Sequence, residues 1–307
     1  MKRRNFLWYS LLFITSCSAI KTQSKSSVSL PAKLNFAITD AIGLEQLEKE
    51  YEAFRVALEE VLETSVEFFP VENFFMTASA LQSGQVDLAW AGPSEYVTIH
   101  ARTNAAPLVS LVRTDYLTIM VARADSGIKS LTDLKGKTVD IWKNGSTAGH
   151  LGAFKLLMDA GLDPQEDIEI LIPERNKVGT LQNGKVFTED ATFKTLNSGE
   201  ADVWCRSAHR YQPALDYEGA SADDYPIIAK GPTLPGDIFV LSSQLDPNIV
   251  KEIQSLMFAN KDKLIKAIHS VESLASSFKY AEFTIAQNSD YDMIREVYKA
   301  IGQDDFL

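Results

Sequence analysis

Short apolar runs recur through the first part of the chain: KLNFAIT (33–39), SVEFFPV (65–71), VDLAW (86–90) and LTIMVA (117–122). Each is short enough for a strand, and helical patterns separate them up to about residue 122. A second set follows with TVDIW (138–142), IEILIP (168–173) and ADVWC (201–205). Strands alternating with helices predict an α/β protein with mainly parallel sheets, and two such sets predict two lobes with a cleft between them. The stretch 225–242, YPIIAKGPTLPGDIFVLS, carries Gly-Pro and Pro-Gly punctuation and is expected to return the chain to the first lobe. Residues 246–307 read as helical and are expected to pack on that lobe. The polar loop 175–186 has the character of a segment bordering a site.

The chain also repeats itself. ALQSGQVDLAWAG (80–92) and TLNSGEADVWCRS (195–207) share Leu-[Gln/Asn]-Ser-Gly-[Gln/Glu]-x-Asp-[Leu/Val]. Each unit predicts a helix ending at Ser-Gly, where glycine takes positive φ at the C′ position, followed by a short strand and a loop into another helix.

The N-terminus sets the compartment. MKRRN is a basic leader and FLWYSLLFI an apolar stretch too short to span a bilayer. It ends in Ile14-Thr15-Ser16-Cys17, which resembles a lipobox and predicts lipidation of Cys17 after removal of residues 1–16. Residues 17–32 are Ser/Lys-rich and aperiodic, as a tether would be. The expected layout is then a first lobe of residues 33–121 and 233–307 and a second of 122–232, joined by a hinge of two segments. The protein is expected on the periplasmic side of a bacterial membrane, touching it only through the lipid anchor.

Composition narrows the chemistry. Beyond Cys17 there is one other cysteine, Cys205, so a mature chain has no intramolecular disulfide, and four histidines without a Cys/His cluster argue against a structural metal. A net charge of −11 disfavours nucleic acid, so an anion site must be local, built from backbone N–H groups and hydroxyls rather than a lysine field. NGSTAGHLG (144–152) suits that purpose, lying between the strand TVDIW and the helical AFKLLMDAGL, which Gly161 closes. The first N–H groups of a helix lack intrahelical partners and carry partial positive charge; Ser146 and Thr147 add hydroxyl donors, and Gly145 allows close approach. Simple capping of the helix by Ser146 or Thr147 explains the same residues. KGKT (135–138) lacks the earlier glycine of a P-loop, Gly92-Pro-Ser-Glu95 lacks nucleophile-elbow spacing, and no Ser/His/Asp set stands out, so no enzyme and no cofactor is expected.

With these motifs in hand, the chain resembles the phosphonate- and phosphite-binding proteins of bacterial ABC importers, which have the type II periplasmic-binding fold. The resemblance spans roughly residues 33–300 and rests on GQVDLAWAGPSEY, LTDLKGKTVDIW followed by GSTAGHL, GEADV and GPTLPGDIFVL. It implies a substrate-binding lipoprotein that holds phosphite or a small phosphonate for a partner permease. Alternatives are another anion or organic ligand (phosphate, a sulfonate, a thiamine-precursor-like molecule) and, less readily, a periplasmic enzyme. The family's Ser-Thr-Ser-Gly loop falls on Ser146-Thr147-Ala148-Gly149, with the third hydroxyl lost and the Ala148 N–H retained. The pocket tyrosine falls on Tyr116, a second aromatic wall near Phe74, and the Asp of the Pro-Gly-Asp turn on Asp237. Two positions depart from the pattern: Glu189 stands where the family has histidine, and His209 where it has a carboxylate. The resemblance therefore implies that phosphite or methylphosphonate binds more tightly than aminoethylphosphonate.

Overall fold

A computed structural model describes residues 28–39, 43–173, 180–182, 185–187 and 191–307. In chain order the elements begin with β1 (Lys33–Ile38), α1 (Leu44–Leu62), β2 (Ser65–Phe68), α2 (Phe74–Gln82), β3 (Leu88–Ala91), α3 (Pro93–Thr103), β4 (Ala106–Arg113) and β5 (Leu117–Ala122). They continue with β6 (Thr138–Asp140), a π-helical turn (Thr147–Gly152) running into α4 (Ala153–Asp159), β7 (Glu169–Leu171), a ladder of β8 (Thr180–Gln182) and β9 (Lys185–Phe187), α5 (Lys194–Ser198), β10 (Val203–Ser207) and α6 (Tyr211–Glu218). The chain closes with β11 (Ile227–Thr233), β12 (Asp237–Leu241), α7 (Pro247–Ala259), α8 (Lys261–His269), α9 (Glu272–Ser277), β13 (Ala281–Ile285) and α10 (Asp292–Ala300).

Two sheets result, with strand orders β13-β4-β12-β3-β1-β2 and β11-β5-β10-β6-β7. The expectation of mainly parallel sheets needs correction. β1, β2 and β3 pair in parallel, as do β6, β7 and β10, but β4, β5, β11, β12 and β13 pair antiparallel. The cause is topological: β4 runs straight into β5 of the other sheet, and β11 straight into β12, without the helical crossover that parallel pairing needs. LTIMVA, placed by sequence in the first lobe, is β5 of the second sheet, so the chain leaves the first sheet after Arg113 rather than after residue 121. Residues 246–307 are helical apart from β13 on the first sheet's edge, and α10 also packs against the π-helical turn.

The first lobe's core is aromatic. Trp90 lies 4.9 Å from Phe239 and 5.1 Å from Phe54 between ring centroids, and α1 covers them with Leu47, Tyr51, Phe54 and Leu58 at helical spacing. In the second lobe Trp204 is fully buried against Phe193 at 5.1 Å.

The repeated unit has a physical explanation. Gly84 and Gly199 follow the ends of α2 and α5 at φ 74° and 75°, the left-handed conformation a side chain would strain. Its aspartate staples the next strand in register: Asp87 accepts the Asn35 N–H at 2.8 Å in one lobe, and Asp202 accepts the Thr138 N–H at 3.0 Å in the other.

Candidate functional site

Ser146, Thr147, Ala148, Tyr116, Asp237 and His209 all line one cleft of about 1040 Å³. The loop carrying the first three is held from behind. Asp140 accepts the Trp142 N–H at 3.0 Å, which helps keep Trp142 at φ 68°, and the Gly145 N–H donates to His150 Nδ1 at 3.0 Å. His150 is buried, and desolvation pushes its pKa down to about 4, so at neutral pH it stays an uncharged acceptor. The glycines divide their duties differently from the sequence expectation. Gly145 is required by its φ of 77°, while the close approaches belong to Gly149, where a Cβ would sit 2.8 Å from Trp142 Cβ, and to Gly152, where it would sit 2.0 Å from Thr118 Oγ1.

Ser146 does cap the helical turn: its Oγ accepts the Gly149 N–H at 3.1 Å. An accepting hydroxyl keeps its own hydrogen to donate, so capping leaves a donor for a ligand. Thr147 is engaged across the cleft. Its Oγ1 accepts the Ser94 N–H at 3.3 Å and donates to Ser94 Oγ at 3.2 Å. Ser94 lies at the start of α3, where Glu95 accepts the Gly92 N–H at 3.0 Å and the Thr39 hydroxyl. Two helix N-termini, one from each lobe, therefore meet at one place, and both direct first-turn N–H groups and positive dipole ends there. Ser94 was not selected from sequence; the signal available was Gly-Pro-Ser directly after the apolar run VDLAW.

The arginines of the cleft, Arg113 and Arg206, were also missed. Arg113, 5% exposed, donates to the Ser277 carbonyl at 3.0 Å and reaches Asp237 Oδ1 at 3.5 Å. Its guanidinium lies 3.9 Å from the Tyr116 ring centroid. Asp237 is thus already paired with a cation. Arg206 makes a two-pronged bond to Asp140 at 2.8 and 2.9 Å and lies over Trp142. The overall charge of −11 hid these local cations, because a net count carries no placement. His209 Nδ1 lies 2.7 Å from Ser207 Oγ; burial first, then the charges of Arg210 and Arg113, push its pKa down to about 2, so it is neutral and does not itself repel a cation.

Phe74 does not line the cleft. It opens α2 and packs on Phe75 at 4.2 Å and on Phe306 at 6.5 Å, an aromatic partner from the far end of the chain. The second aromatic wall expected at this position is therefore absent, and Phe278 and Trp142 are among the aromatics that line the cleft instead. Glu189 and Cys17 lie outside the described residues.

Residues 36–291 match the family described as "ABC transporter, phosphonate, periplasmic substrate-binding protein". The chain belongs to this family. Among relatives of this phosphonate-binding protein, it is similar to the phosphate-import protein PhnD of Mycolicibacterium smegmatis, at 24% identity over 262 residues, 81% of this chain and 78% of that protein. It is similar to the probable ABC transporter phosphite binding protein PhnD1 of Prochlorococcus marinus, at 21% identity over 304 residues, 95% and 97% of the two chains. The solved structure of Prochlorococcus marinus PhnD1 in complex with methylphosphonate superposes with a TM-score of 0.63 at 18% identity, covering 89% of this chain and 99% of that one. The fold is the type II periplasmic-binding fold, with two α/β lobes joined by two segments.

Proposed function

We propose that this phosphonate-family binding protein is a lipoprotein that captures phosphite or a small phosphonate such as methylphosphonate and delivers it to its permease. The observation that carries the reading is the convergence of two helix starts across the cleft, with Ser94 N–H 3.3 Å from Thr147 Oγ1. An oxyanion placed there receives first-turn N–H groups of Thr147 and Ala148 and the Ser146 hydroxyl without any lysine. Closing the two lobes about the crossovers near residues 114–116 and 234–236 would exclude water and strengthen each of those bonds, and reopening would release the ligand. Tyr116 covers the part of the ligand that makes no hydrogen bond, where an extra hydroxyl would lose its hydration uncompensated. Arg113, already drawing on Asp237, disfavours a ligand with an ammonium tail.

Phosphate is the second reading, favoured by the similarity to a phosphate-import protein. A thermal-shift panel of phosphite, methylphosphonate, aminoethylphosphonate, phosphate and sulfate separates the readings, since a ligand at a hundred times its Kd stabilises by about 2.7 kcal/mol. Methylphosphonate or phosphite should shift the melting point most. A shift confined to phosphate or sulfate would overturn the first reading.

A further inference from the structure

Arg113 has more N–H groups than the described residues around it supply with acceptors. A buried guanidinium needs acceptors for its N–H groups, because each unmatched one retains its desolvation cost. Nη1 reaches the Ser277 carbonyl at 3.0 Å, Nη2 makes only a long 3.5 Å contact with Asp237, and among the described residues Nε has no acceptor. The guanidinium lies over two rings that also line the cleft, Tyr116 at 3.9 Å and Phe278 at 4.7 Å from their centroids. His209 lines the same cleft, and its Nε2 is likewise buried without a partner. In the tautomer in which the Ser207 hydroxyl donates to Nδ1, Nε2 carries the proton and is a second donor.

The cleft, about 1040 Å³, has room for a second group beside the phosphonate, since roughly 300–1,000 Å³ already holds drug-sized molecules. Methylphosphonate fills a small part of it. Tyr116 links the two ends of the space, since its ring packs with Ala148 of the anion loop and also carries the Arg113 guanidinium.

Resting on the assignment of the anion loop to phosphorus oxygens, we propose that the cleft takes phosphonates bearing a second acid group, the phosphonate at Ser146–Ala148 and a carboxylate at Arg113 and His209. The competing explanation is purely structural. Arg113 ends β4 and Asp237 begins β12, so their pairing ties together the two strands at which the chain crosses between sheets.

Calorimetric titration of the purified protein with phosphonoacetate, 3-phosphonopropionate, methylphosphonate and aminoethylphosphonate at one pH tests this. At least one phosphonocarboxylate should bind about tenfold or more tighter than methylphosphonate, the minimum worth of a charge-assisted bond, and the ammonium compound weakest. The double substitution Arg113→Met with Asp237→Asn removes both charges together, so no carboxylate is left buried and unpaired, and should bring the ratio of phosphonocarboxylate to methylphosphonate affinity, both measured on the variant, down to about one. If phosphonocarboxylates bind wild-type protein no better than methylphosphonate, the inference is overturned whether or not the variant folds. Survival of the advantage in the variant overturns it too, and leaves Arg113 as a tie between crossover strands. Binding of none of the four would instead refute the phosphorus-oxyanion reading on which the inference stands.

Discussion

Ser146→Asp separates the two duties of the residue at the head of the anion loop. In the native protein the Ser146 Oγ accepts the Gly149 N–H at 3.1 Å and so caps the turn that leads into α4. Aspartate caps as well as serine does, and its charge is favourable at a helix N-terminus by about 0.3–1 kcal/mol. The unliganded protein should therefore melt at or slightly above the wild-type temperature. Binding should respond in the opposite direction. The Ser146 hydroxyl bond to a charged oxygen is worth about 1.5–3 kcal/mol. A carboxylate about 4 Å from the ligand adds repulsion of about 4 kcal/mol at an effective dielectric near 20. Together these lower affinity by several orders of magnitude. Ser146→Ala supplies the converse control: loss of the cap by about 1 kcal/mol and a weaker binding defect. Calorimetry with methylphosphonate, alongside thermal melts without ligand, reads both quantities on the same samples. Wild-type affinity in a normally folded Ser146→Asp protein would refute the reasoning, because it would mean that Ser146 serves the helix alone.

Other outcomes are expected. Gly152→Ala places a Cβ 2.0 Å from Thr118 Oγ1 and 3.2 Å from the Thr147 carbonyl, so it should lower stability to denaturant by about 1–3 kcal/mol, and an unchanged midpoint would contradict the packing described. His150 titrates near 4 when folded and near 6.5 when unfolded, so its contribution is intact above pH 6.5. As pH falls from 6.5 towards 4 the unfolded chain binds the proton first, and stability should decline by on the order of 3 kcal/mol. His150→Gln should remove that part of the decline in melts taken across the range, and identical pH profiles would count against it. Cys17→Ser should release the protein from membranes or block its processing; wild-type protein found entirely in the soluble periplasmic fraction would refute lipidation.

Much of the local structure was legible because it answers to requirements of neighbouring backbone. Gly84 and Gly199 end their helices at positive φ, and Ser146 heads a helical turn between a strand and a helix, because these demands act over a few residues and leave their mark on residue type. The order of the motifs also sufficed to identify the family and the loop that faces the cleft. Tertiary structure alone decided what depends on partners distant in the chain. Periodicity could not tell that LTIMVA pairs in the second sheet, since an apolar strand reads alike in either. Nor could it show that Phe74 would meet Phe306 rather than the ligand, or that Ser94 would face Thr147. Arg113 and Asp237 lie 124 residues apart, and it is the antiparallel pairing of β4 with β12, at the points where the chain passes between sheets, that brings this cation into a cleft of an acidic protein. Residue type records what the adjacent backbone requires, whereas long-range pairing is chosen by how the whole chain packs.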